Sequence, residues 1–205
     1  MNLTHLMDLP GALEVFGYMP AAFRNVHALE SWANNHRATI EKPGGNLPKA
    51  RFLFCQYPSL TQVWMKADKA NYRRHAKLML EELDDREYTL AEYDVDHVVA
   101  RRRLREMWPD SWVLMQFCET GINRAIGSKV ERKIRYDCHD DVDRIDIGLA
   151  EFIKLVATTM APRGRLDIHD ALGKAELSYE RLSVDAAVMR SWFSRLRNEL
   201  VRLGL

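Results

Sequence analysis

Cysteine is scarce in this 205-residue chain, and the three present, Cys55, Cys118 and Cys138, are widely spaced with no C-x-x-C pair. An odd number at such spacing argues against both a disulfide framework and a zinc ribbon, so zinc held by cysteine is not expected. No apolar run approaches the roughly 18 residues of a membrane span. Met1 to Pro10 holds His5 and Asp8 and lacks both a basic start and a clean apolar stretch. These absences predict a cytoplasmic, unprocessed chain with no membrane partner. Net charge is also lacking: it is only +1, so attraction to a polyanion has to come from local asymmetry. Internal repeats and low-complexity tracts are absent as well, and 47% hydrophobic with 29% charged residues is the balance of an ordinary folded protein.

Local asymmetry is present. Residues 81 to 96 hold eight acids against Arg86 alone, a local charge of −7, whereas Arg101 to Arg135 hold nine bases against four acids, a local charge of +5. An acidic strip collects cations and a basic strip collects phosphates, although adjacent charge blocks also arise on solvated faces.

Periodicity gives the coarse organisation. Ala22, Phe23, Val26, Leu29 and Trp32 fall at helical spacing and predict a helix over 21–36, and the stretch from Pro43 to Pro48 breaks the chain. Arg51 to Tyr57 reads as a strand, and Asp68 to Leu83 as a helix. Val95, Val98 and Val99 form one β-favouring run and Trp112 to Phe117 a second, followed by a helix over 119–127 with Asn123 in its first turns. Asp143 to Met160 and Ser183 to Leu203 are again helical, the latter docked through Val188, Trp192, Leu196 and Leu200. Cys138-His139-Asp140-Asp141 reads as a cap rather than a metal site. The expected fold class is α+β, mainly helical, in three parts: 1–87, a helical segment with a short extended stretch; 88–136, a strand–strand–helix unit; and 137–205, a C-terminal helical segment.

The chemistry lies in Tyr93 to Arg132. There D-V-D-H-V-V is followed, some 26 positions on, by N-R. This pattern resembles the HNH, or His-Me finger, endonucleases, most closely the HNH domain of the RNA-guided CRISPR nucleases, over residues 88–135. The resemblance implies a ββα-metal finger embedded between the helical segments. It implies Asp96 and Asn123 as ligands of one Mg²⁺ or Mn²⁺ ion and His97 as general base, in a metal-dependent endonuclease of DNA that nicks one strand per engagement. The residue types suit that chemistry: Asp and Asn oxygens are hard donors, and an imidazole with an ordinary pKa near 6.5 can take a proton from water. Arg101, Arg102, Arg124 and Lys129 are the candidate contacts to double-stranded DNA.

Two departures stand out: no cysteine pairs flank the finger, and Ile126 stands third after the asparagine, where relatives often carry a base or a further polar residue. One geometric condition also follows, because neighbouring strand residues face opposite sides, so the strand has to end or bulge at His97 for Asp96 and His97 to share a site. A small chain of this outline is also similar to HNH proteins of phage defence, mobile elements and secreted toxins, and no residue chooses among them. The alternatives are a nucleic-acid-binding module on a degenerate HNH fold, and a helical interaction protein in which Asp96 and His97 merely end a strand.

Overall fold

The protein is seen here as a computed structural model, described over residues 18–41, 52–57, 60–67, 73–75, 93–133, 142–160, 167–182 and 185–205. The N-terminal ten residues, the stretch 43–48, most of the acidic strip, the motif 138–141, Ser183, and the expected helix over 68–83 apart from 73–75 lie outside the described residues.

The chain is α+β, with an antiparallel sheet and packed helices. Seven strands are described: β1 (Pro20–Phe23), β2 (Thr39–Glu41), β3 (Phe52–Tyr57), β4 (Leu60–Lys66), β5 (Tyr93–His97), β6 (Trp112–Glu119) and β7 (Arg144–Asp146). Their order is β2-β3-β4-β6-β1-β7, with β5 paired to β6. β6 organises the sheet. Its first half lies against β4, pairing Trp64 with Leu114 and Met65 with Val113, and against β1, pairing Ala22 with Val113. Its second half pairs with β5, from Tyr93 opposite Glu119 to His97 opposite Met115. Strands from all three sequence segments therefore share one sheet.

The segment expected to be helical over 21–36 is divided. Pro20 to Phe23 form β1, and α1 (Val26–Asn35) begins only after Asn25, whose side chain accepts the Ala28 N–H at 2.9 Å. Ala21, Ala22 and Phe23 are buried between β6 and β7. Tertiary pairing outweighs helical spacing here, because extending the helix would leave ladder groups of Val113 and Ile145 without partners.

The remaining helices are α2 (Arg101–Met107), α3 (Thr120–Ile126) continued by a π-helical turn (Gly127–Glu131), α4 (Leu149–Met160), α5 (Ile168–Leu182) and α6 (Ala186–Arg202). Asp185 caps α6, accepting from Ala187 N at 2.9 Å, and the helix docks through Met189, Trp192, Phe193, Leu196 and Leu200. The start of α4 is fixed by two carboxylates: Glu151 accepts the Gly148 N–H at 3.1 Å and Glu199 the Leu149 N–H at 3.3 Å. Both satisfy N–H groups that a helix start leaves open. α4 packs against β6, α3, α5 and α6.

Phe152 of α4 is fully buried at the centre of an aromatic cluster, with ring centroids 4.7 Å from Trp192, 5.4 Å from Phe193 and 5.9 Å from Tyr179. Phe152→Ala is therefore expected to destabilise the protein by about 3–5 kcal/mol. Val201→Ser, at a residue 74% exposed, should stay within about 0.5 kcal/mol of wild type. Urea unfolding of both variants checks this, and equal effects would refute the docking.

Candidate functional site

β5 and β6 form an antiparallel pair, and α3 packs back against both. Alternation along β5 sends Asp94 and Asp96 to one face and Val95 and His97 to the other. The strand ends at His97, followed by bends at Val98 and Val99. Pairing nevertheless stays in register through His97, and Val98 N still donates to Leu114 O at 2.9 Å. The strand thus ends where expected, without the bulge that would turn His97 onto the face of Asp96.

The helix does bring Asn123 to the strand, but onto Asp94: its Nδ2 donates to Asp94 Oδ2 at 3.2 Å. Asp94 is 8% exposed, and Arg73 lies 3.3 Å from its other oxygen.

Asp96 has a different partner. Lys154 of α4, its side chain 2% exposed, places its ammonium 2.9 Å from Asp96 Oδ2 and 3.0 Å from the His97 carbonyl oxygen, and also pairs with Glu131 of the π-helical turn. Burial pushes the Asp96 carboxyl up, but the charge and hydrogen bond of Lys154 overcome this and hold it below its ordinary value. Burial likewise works against the Lys154 ammonium, and Asp96 and Glu131 together hold its pKa above the ordinary value. Both groups stay charged.

His97 is 1% exposed. Its imidazole is pushed down to about 3, first by burial and then by the charges of Arg101, Lys154 and Arg73, with Asp96 opposing. The ring is neutral at neutral pH and a weak base. Gln116, directly across the ladder from Asp96 and on the same face, is 4% exposed, and no hydrogen bond to its amide oxygen or nitrogen is present among the described residues.

The donor set can be tested against the implied metal. A divalent Mg²⁺ or Mn²⁺ ion requires hard oxygens around a position that tolerates positive charge. The carboxylates of Asp96 and Glu131 and the His97 carbonyl meet that requirement, since they already surround a buried cation, the Lys154 ammonium. With Lys154 in place the set holds an ammonium and would suit such an ion only with that lysine withdrawn; among the described residues no three His, Cys, Asp or Glu side chains converge as metal ligands, and Asn123 lies against Asp94 rather than in this set.

Of the expected phosphate contacts, Arg101 and Arg102 lie on α2, where with Arg105 and Glu106 they line a surface depression. The basic run forms a short helix after the strand has ended, anchored by fully buried Leu104. Arg124 is exposed on α3, and Lys129 falls in the π-helical turn. Ile126 is fully buried, so the base expected at its position is replaced by packing.

Lys154, Glu131 and Gln116 went unread in the sequence. A signal for Lys154 existed: Leu149 to Val156 is apolar except for Glu151 and Lys154, three residues apart on one helix face. Charges set into an apolar helical run have to be paired. The π-helical turn that aims Glu131 leaves no comparable mark.

No family model, no curated protein and no solved structure matches this chain, so the functional reading rests on the sequence motif together with the geometry and chemistry of its residues. For His97 the sign of one consequence is fixed. The folded state keeps the imidazole neutral down to about 3 while the unfolded chain takes up a proton below 6.5, so the unfolded state binds more protons between those values. Stability is expected to fall as pH drops through that interval. His97→Gln should show a shallower fall in urea midpoint over the same range, and an unchanged slope would refute the burial of a neutral ring.

Proposed function

We propose that this chain is an HNH-type endonuclease that hydrolyses phosphodiester bonds in DNA. The observation supporting this most directly is the convergence of strand and helix: Asp94 and Asp96 share a face of β5, and Asn123 from α3 reaches that face to contact Asp94. The reading is thereby extended to a ββα-metal finger formed by β5, β6 and α3.

Asp96 and Asn123 are the ligands the resemblance implies, with Glu131 added by its place in the oxygen cradle. When bound there, such an ion would supply charge stabilisation at the phosphate. His97 would accept a proton from the attacking water at an imidazole nitrogen, which requires its buried ring to become exposed and to turn from the opposite face of β5 onto that of Asp96. Arg101 and Arg102, with Arg105, hold the backbone of double-stranded DNA beside the strand, and Arg124 and Lys129 extend this contact. A role in phage defence or mobile elements in the cytoplasm follows the same resemblance. No helix among the described residues is long and apolar enough to cross a membrane.

One observation favours a second reading, a nucleic-acid-binding module without turnover: the cradle is filled by Lys154 and the imidazole is closed off.

A plasmid-cleavage assay with and without Mg²⁺ separates the two. Under the nuclease reading, wild type cleaves only with metal, and His97→Ala lowers the rate by about 10²–10⁴-fold. Undiminished cleavage by His97→Ala would refute its role as base, and folded wild type that binds DNA without ever cleaving it would favour the binding module. Under both readings, Arg102→Ala and Arg105→Ala weaken DNA binding, each lowering the slope of log affinity against log salt by about 1 per lost phosphate contact. An unaltered salt slope would remove α2 from the interface.

A further inference from the structure

We propose that the Lys154 ammonium is a resident cation that competes with a divalent metal ion for the oxygen cradle of Asp96, Glu131 and the His97 carbonyl. This rests on the nuclease reading for its purpose but not for its physics.

Lys154 is held by two carboxylates and a main-chain oxygen contributed by β5 and the π-helical turn. That ligation replaces the hydration of an ammonium oxygen by oxygen. A divalent ion prefers the same hard donors, and two cations cannot occupy one small buried cradle, because their repulsion is poorly screened there. Two carboxylates face the one ammonium, while the Arg103 guanidinium donates to the Glu131 carbonyl beside them.

A second, independent feature points to a ligand richer than an ammonium. Gln116 lies across the ladder from Asp96, on its face, 96% buried, and neither its amide oxygen nor its nitrogen has a hydrogen-bond partner among the described residues. Burying an unsatisfied amide is unfavourable. Six or more oxygens satisfy a hard divalent ion, and the Gln116 amide oxygen is an additional donor that Lys154 does not engage.

The arrangement gives the ion two tasks. It has to displace a covalently tethered competitor, and α4 has to let the lysine side chain move. Metal affinity in wild type is therefore weakened by the lysine that closes the cradle.

The test is Mn²⁺ titration of the purified, metal-free full chain by calorimetry, without nucleic acid, for wild type, Lys154→Gln, Lys154→Arg and Lys154→Gln/Asp96→Asn. Lys154→Gln keeps a hydrogen-bond donor and loses the charge, so it should bind Mn²⁺ at least about tenfold more tightly than wild type. Lys154→Arg, which keeps the charge, should show no gain, and adding Asp96→Asn should abolish it. Should Lys154→Gln unfold without metal because Asp96 and Glu131 are left unpaired, Mn²⁺ should restore its circular dichroism. Failure of Mn²⁺ to do so overturns the proposal, as does a folded Lys154→Gln that binds Mn²⁺ no more tightly than wild type. Cleavage is scored separately. A gain in Mn²⁺ binding with no cleavage by any form upholds the competition while removing the nuclease reading; metal-dependent cleavage by wild type with equal Mn²⁺ affinity in Lys154→Gln does the reverse.

Discussion

The buried ammonium of Lys154 is the constraint on which the site depends. Taking an ion out of water is unfavourable by several kcal/mol even after relaxation, and two carboxylates and a carbonyl offset that only if all three are held in place. β5 holds two of them and the π-helical turn after α3 holds the third. The fixed start of α4 and its aromatic packing position the lysine. The C-terminal helices are thereby tied to the strand pair by charge as well as by apolar contact, and disturbing either partner leaves the other with an uncompensated charge.

Much of this was legible in the sequence. The strands Arg51 to Tyr57 and Trp112 to Phe117, the helix after Glu119 and the docked last helix all correspond to described elements, because each is fixed by a local pattern: β-branched or aromatic runs for strands, three-and-four spacing for helices. What was missed is nonlocal. β1 carries helical spacing in Ala22 and Phe23 yet is a strand because β6 and β7 flank it. β7 (Arg144–Asp146) falls in the stretch expected to open the helix over 143–160, yet it is a strand paired to β1 and the helix begins only at Leu149; three residues are too few to show a strand period. The short helix α2 was hidden by its arginines, since only Leu104 is fully buried on it.

The candidate site was legible in part for the same reason. Asp96, His97 and Asn123 stand out as residue types at a spacing, and the structure brings Asn123 to the strand that carries the other two. Which carboxylate it meets depends on strand alternation and on how α3 lies across the pair, and that favours Asp94. The partner of Asp96 comes from 58 residues further along, beyond any local pattern.

The π-helical turn has a consequence for how this chain can change over generations. Such a turn contains about one residue more than the α-helix it interrupts. Deleting one residue between Gly127 and Val130 would restore regular winding and re-space the backbone that carries Glu131 toward Lys154. The interval from Asn123 to Glu131 is thus expected to accept substitution at an exposed position such as Ser128 more readily than a change of length.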